Sequence, residues 1–176
     1  MIPATAVLVT RGDVDLEQIL ATLAVFDEVI VWNNAERENL KCYGRFAGAR
    51  EARNDLVYVQ DDDLVVPVEE LFGHYDGGIV ANRKPDEEWR FVGAGAFFDR
   101  RLLGVFDEYL AEYPLDDDFL RAADIVFAYA NPYRSVWVGY EDLAWAMAPN
   151  RMYWESDHYS VRERVKARTL KLASTG

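Results

Sequence analysis

Three short apolar runs, each closing in polar residues, constrain this chain more than any other feature. The first is Ala6-Val7-Leu8-Val9-Thr10, followed by Arg11-Gly12-Asp13. The second is Val29-Ile30-Val31-Trp32, ending in Asn33-Asn34, and the third is Leu56-Val57-Tyr58-Val59, leading through Gln60 to Asp61-Asp62-Asp63. Short runs rich in Val, Ile and Tyr, bounded by turn or charged residues, read as buried strands. After the turn at Arg11 to Asp13, Asp15 can cap a helix whose Leu16, Ile19, Leu20 and Leu23 share one face. A second helix carrying Arg50 and Arg53 is expected before the third strand. Strand, helix, strand, helix, strand predicts a parallel α/β sheet with right-handed crossovers. The carboxyl ends of such strands line one edge, where a nucleotide would sit. Those ends here are Thr10-Arg11, Asn33-Asn34 and the acidic triplet.

The second half is less regular. Gly77 to Ala81 and Val136-Trp137-Val138 read as short strands, and Val92 to Phe98 as a Gly-bearing strand approached closely by ligand or backbone. Helices are expected over Arg101 to Tyr109, Phe119 to Ala130, and from Val161 to about Leu172. The chain has 176 residues, 51% of them hydrophobic, enough for one globular domain with a sizeable core. Its 31 acidic against 19 basic residues give a net charge of -12. That balance disfavours nonspecific binding to nucleic acid or anionic membranes, which depends on Lys and Arg. The single cysteine, Cys42, excludes an internal disulfide framework or thiolate zinc cluster. With no apolar run long enough to span a bilayer and no basic-apolar leader, the reading is a cytoplasmic protein of a reducing compartment.

Clustered carboxylates repel one another and resist desolvation, and a hard divalent cation such as Mn²⁺ or Mg²⁺ relieves that repulsion. Asp61, Asp62 and Asp63 therefore read either as a cation site or as a solvated acidic turn. Asp124 has Leu120, Phe127 and Ala128 among its helical neighbours, so it faces inward, as a site carboxylate or as a salt bridge to Arg121 or Arg134. Arg11, Arg50 and Arg53 flank strand ends and offer planar forks for phosphate. Asn33-Asn34 reads equally as a base or ribose contact and as a turn. His158 and Arg162, four apart, share a helical face, so that one can ligate a metal and the other neutralise a diphosphate. Glu141-Asp142 reads as a helix N-terminus, with Asp142 a reserve base.

Taken in order, Val29 to Asn34, Asp61-Asp62-Asp63, Gly93-Ala94-Gly95-Ala96-Phe97-Phe98 and Asp124-Ile125 resemble the exostosin-like glycosyltransferases of family 64, from about Ala6 to Arg162. The resemblance implies a GT-A fold (a mainly parallel mixed sheet flanked by helices), a UDP-sugar donor, Mn²⁺ or Mg²⁺, and retention of anomeric configuration. It implies nucleotide-binding roles for Arg11, Asn33 and Arg53, with Thr10 and Arg50 beside them, and for Asp61 and Asp62. Asp63 resembles the metal ligand, with Asp61 and His158 as further candidates. Gly93 and Ala94 fall on the sugar side. Asp124 and Arg162 resemble the catalytic pair. The chain departs from the family at Ala122-Ala123-Asp124, which stands where a Cys-Asp-Asp segment is usual, and it is shorter near Asn82 to Trp89. A small bacterial or phage-type enzyme is implied, acting on a carbohydrate, small-molecule or modified-macromolecule acceptor. Two alternatives stand beside it: a non-catalytic nucleotide-sugar-binding module, and an inverting transferase with Asp124 or Asp142 as base. A sugar nucleotidylyltransferase needs a Gly-rich loop with a Lys after the first strand, which Thr10-Arg11-Gly12-Asp13 does not supply. A phosphoacceptor domain needs an acidic residue at that strand end, and Asp13 is displaced from it.

Overall fold

A computed structural model describes residues 1–149, 151–152 and 155–174. In chain order the elements are β1 (Ile2–Thr10), α1 (Glu17–Leu23), β2 (Phe26–Asn33), α2 (Gly44–Glu51), β3 (Leu56–Gln60), β4 (Leu64–Val65) and α3 (Val68–Gly73). They continue with β5 (Ile79–Asn82), β6 (Ala96–Asp99), α4 (Gly104–Glu112), α5 (Asp117–Ala130), β7 (Tyr133–Val136), β8 (Glu141–Asp142) and α6 (His158–Ala173). Short 3₁₀ turns at Lys41–Tyr43 and Arg100–Leu103 lead into α2 and α4.

Six strands form one sheet in the order β2-β1-β3-β6-β5-β7. The three apolar runs sit side by side and parallel, with Ala6 opposite Val29 and Tyr58. β6 runs antiparallel to both β3 and β5, and β7 is parallel to β5. Only β6 is reversed, so five carboxyl ends share one edge of the sheet. The turn that precedes β6, Gly93-Ala94, comes to that same edge. The fold is thus α/β, with a six-stranded, mainly parallel mixed sheet flanked by helices. Among the described residues no helix is long and apolar enough to cross a membrane.

Alternation along the strands splits the core into two layers. Val7, Val57, Val59, Ala96 and Phe98 point to one face, where Phe46 of α2, Phe106 of α4 and Phe119 and Phe127 of α5 close over them. Ala6, Leu8, Tyr58 and Phe97 point to the other, against Ile19 and Leu23 of α1 and Leu71 of α3. Each fully buried Phe on these faces contributes about 1.5–3 kcal/mol of burial free energy. α5 packs along α6, and the only non-helical residue inside α5, Ala122 (φ -133°, ψ 25°), lies half a turn before Asp124.

Several local expectations are corrected. The strand expected over Val92 to Phe98 starts at Ala96, because Gly95 takes a positive φ of 101° and breaks the extended backbone. Glu141-Asp142 does not open a helix; it forms β8, paired antiparallel with β4 just past the acidic triplet. The strand expected over Val136 to Val138 is Tyr133–Val136, which leaves Trp137 in a loop. Phe72 and Gly73 close the short helix α3 after Pro67. Arg53 lies beyond the end of α2.

Candidate functional site

A cleft of about 940 Å³ opens along the carboxyl edge of the sheet. Thr10, Arg11, Asn34, Lys41, Arg45, Asp61 to Asp63, Ala94, Asp124, His158 and Arg162 all contribute to its walls. The pattern of the sheet explains this convergence. β1, β2 and β3 deliver their polar ends to one edge, the Gly93-Ala94 turn arrives there from β6, and α5 and α6 close the side.

The acidic triplet forms the floor. Each carboxylate has a different environment. Asp61 pairs with Arg45, a guanidinium buried in the first turn of α2 that also bonds the Cys42 carbonyl (3.1 Å). Asp62 is buried against Arg151 (2.8 Å), and Trp145 Nε1 donates to its carbonyl (2.7 Å). Asp62 thus forms an ion pair through Oδ1 while lining the same cleft. Asp63 has no salt bridge among the described residues. Burial, with Asp61 and Asp62 beside it, pushes its carboxyl up to about 7. Arg45 Nη1 is buried without a hydrogen-bond partner among the described residues.

Opposite the floor, Arg162 reaches from α6 to Asp124 on α5, with Nη2 and Nη1 at 3.2 and 3.3 Å from Oδ2. Asp124 is 3% exposed, and its partner is Arg162; Arg121 instead pairs with Asp157 and Glu155, and Arg134 with Asp76. Arg162 Nε donates to His158 Nε2 (3.0 Å). That bond occupies the ring nitrogen's lone pair, and burial together with the Arg162 charge lowers the His158 pKa. In this arrangement His158 supports Arg162 through its Nε2. The Cys42 thiol, buried beside Asp124, is pushed up to about 11, so it is an inert wall residue.

Other expected residues fall outside the cleft. Arg50 bonds Asp107 (2.8 Å) and the Leu103 carbonyl, and Arg53 bonds the Asp27 carbonyl (2.6 Å). Asp27 begins β2 and Asn54 precedes β3, so Arg53 sits at the amino edge of the sheet, opposite the site. Arg50→Ala and Arg53→Ala should leave nucleotide affinity within about twofold, because neither guanidinium reaches the cleft; a fall of tenfold (about 1.4 kcal/mol) in calorimetry would contradict this. Asn33 caps its own turn, accepting from Ala35 N–H (3.0 Å), while Asn34 lines the cleft and braces Leu40 and Lys41. Thr10 Oγ1 accepts from Gly12 N–H (3.0 Å).

Gly93 is required by close approach. A Cβ there would stand 2.1 Å from Asp61 Oδ2 and 3.4 Å from Arg45 Nη1, while its carbonyl receives the Asp61 N–H (2.8 Å). Gly93 thus shapes the floor from behind, whereas Ala94 lines the cleft. Gly93→Ala is expected to force Asp61 off Arg45 and destabilise the fold by about 1–3 kcal/mol in urea unfolding, the usual cost of overpacking. An unchanged midpoint would show that the carboxylate swings aside freely.

Arg45 and Arg151 are the site residues that the sequence reading passed over. Arg45 had one available signal: its position just after the Cys42-Tyr43-Gly44 turn places it in the first turn of α2, whose start faces the carboxyl edge. Arg151 had none, since it reaches Asp62 across 89 residues of chain. No protein-family model matches the chain, and no curated protein shows significant similarity to it.

Proposed function

We propose that the chain is a metal-dependent glycosyltransferase with a GT-A-like fold, moving a sugar from a UDP-sugar to an acceptor hydroxyl with retention of configuration. The observation that carries the reading is the meeting, in one cleft at the carboxyl edge of an α/β sheet, of the acidic triplet and the Asp124–Arg162 pair. Asp124 lies about sixty residues beyond the triplet in the chain and Arg162 about a hundred.

The donor set fits a divalent cation carried in with a diphosphate. Among the described residues no three His, Cys, Asp or Glu side chains gather to hold a metal alone. Asp63, half-buried beside Asp61 and Asp62 and with no salt bridge of its own among the described residues, is short of compensating charge. Mg²⁺ and Mn²⁺ sites of this kind take one or two carboxylates and complete their shell with substrate phosphates. The bound cation would neutralise charge growing on the departing diphosphate. Arg45, paired with Asp61, adds a fixed positive charge to the floor beneath that space. Asp124, held in place by Arg162, supplies fixed negative charge next to a carbon that becomes cationic as the glycosidic bond breaks. The Arg162 guanidinium adds positive potential on the diphosphate side.

Calorimetry with UDP, with and without Mn²⁺, tests the reading, followed by donor hydrolysis in the absence of acceptor. Metal-dependent binding with slow hydrolysis supports an enzyme. Binding with no hydrolysis or transfer supports a nucleotide-sugar-binding module, and no binding rejects both. A β-linked product from an α donor would show inversion, with Asp124 or the cleft-lining Asp142 as base.

A further inference from the structure

The cleft has two chemically different ends. Sheet order puts the ends of β1 and β2 on one side of the acidic triplet and those of β5 and β7 on the other. The β1/β2 end is polar: Thr10, Arg11, Asn34, Asn39 and Lys41. The β5/β7 end is aromatic. Eight large hydrophobic residues are exposed among those described, and Trp137, Tyr140, Met147 and Tyr159, half of them, line this one cleft. Exposed rings gathered in a concave site mark a binding surface.

We propose that Trp137 and Tyr140 form an acceptor platform, and that the group stacked on it is an uncharged pyranose of an oligosaccharide; the word acceptor rests on the transferase reading.

The rings are built into place. Trp137 and Tyr140 are 43% and 42% exposed, and they meet edge to face with centroids 5.4 Å apart at 78°. Between them, Val138 donates its N–H to Asn82 Oδ1 (3.1 Å), and Asn82 Nδ2 donates to the Gly139 carbonyl (2.9 Å). Asn82 is buried and also donates to the Ala94 carbonyl (3.0 Å), so one side chain ties the aromatic loop to the turn behind the triplet. On the far side of the loop, β8 pairs with β4, and Leu143 N–H bonds the Asp63 carbonyl (2.8 Å). A loop held at both ends loses little freedom when a ligand binds. It also sets the platform beside Asp63, where the reacting end of a donor would lie.

Charge chooses the ligand. The groups acting on Tyr140 are Asp142, Glu87 and Asp63 against one guanidinium, Arg83, which is itself paired with Glu87. With Lys84 beside Trp137 counted as well, the acidic groups around the two rings still outnumber the basic ones by one, so uronates, phosphates and nucleic acid would meet net repulsion there. Lys84 Nζ lies 5.2 Å from the Trp137 centroid, so this ring face already draws positive charge. The C–H face of a pyranose carries the same sign in weaker form and suits the negative face of the ring.

The test uses the full chain with UDP and Mn²⁺, titrated with cellohexaose, chitohexaose and, as the anionic arm, an alginate hexamer. Binding is followed by calorimetry and by the indole N–H signals in NMR. At least one neutral hexasaccharide should shift the Trp137 indole signal and bind more tightly than the alginate. Trp137→Ala should weaken that binding about tenfold or more, Trp137→Phe should retain most of it, and the UDP Kd should move less than twofold in both. Absence of saccharide binding, preference for alginate, or full saccharide affinity in Trp137→Ala would overturn the platform. If saccharides bind as expected and UDP does not, the platform stands and the transferase reading fails.

Discussion

Asp63→Asn is expected to remove the metal-dependent part of UDP binding, a loss of about a hundredfold or more in affinity, with the fold kept. Asp61 and Asp62 already spend their charge on Arg45 and Arg151. Asp63 is the carboxylate whose surroundings favour losing its charge, and its carboxyl sits at about 7. A cation and a proton therefore compete for it, and metal binding releases the proton. Mn²⁺-dependent UDP affinity should rise as pH rises through 7 and flatten above it. The sign for stability is the opposite. A carboxyl raised from 3.8 to about 7 binds its proton more tightly in the folded state. Its contribution is present below the unfolded value and is lost as pH rises from about 4 to 7. Metal-free protein should lose stability across that window, and Asp63→Asn should flatten the loss. A variant that binds UDP and Mn²⁺ with wild-type affinity would remove Asp63 from the site. Identical pH profiles for the two proteins would show that its ionisation is not strained.

The edge of the site was legible in the sequence because it depends on local signals. Val-rich runs with polar endings fix the strands and the direction in which Thr10, Asn34 and Asp61 to Asp63 are delivered. The inward face of Asp124 followed from Leu120, Phe127 and Ala128 at helical spacing. What failed depends on long-range geometry. Arg50 and Arg53 stand close to the triplet in sequence, yet β3 separates them from it by its whole length, at the other edge of the sheet. Arg45 lies farther back in the chain and reaches the triplet because α2 starts where β3 ends. The partner of Asp62 is Arg151, which no sequence window joins to it. His158 and Arg162 do share a helical face, but their spacing cannot show that they bond each other. The reversed strand β6 was equally hidden, since its direction is set by the Gly95 turn and by pairing with β5, not by its composition.

Asp124→Asn and Arg162→Met should each lower donor turnover by about a hundredfold or more, the scale of losing one fixed electrostatic contact at a reacting centre. The pair is buried, with side-chain exposures of 4% and 13%, so a purely structural role would also make each change harmful. The two explanations separate in the double variant. Removing one partner of a buried pair leaves an uncompensated charge and costs up to about 3–5 kcal/mol, whereas replacing both with neutral groups is often close to neutral. Arg162→Met leaves Asp124 facing Cys42 without its ion-pair partner, with the Arg45 charge farther off. Asp124→Asn keeps an oxygen that can accept from Arg162 but removes the compensating charge, leaving the guanidinium unneutralised beside His158 and Phe91. The double variant should therefore recover most of the stability lost by either single change in urea unfolding. Its Mn²⁺-dependent donor hydrolysis should stay as low as that of the worse single variant. UDP affinity should fall less in Asp124→Asn than in Arg162→Met, because only the arginine adds positive potential toward the diphosphate. Recovery of turnover together with stability would make the pair a strut between α5 and α6, and the catalytic centre would have to lie elsewhere in the cleft.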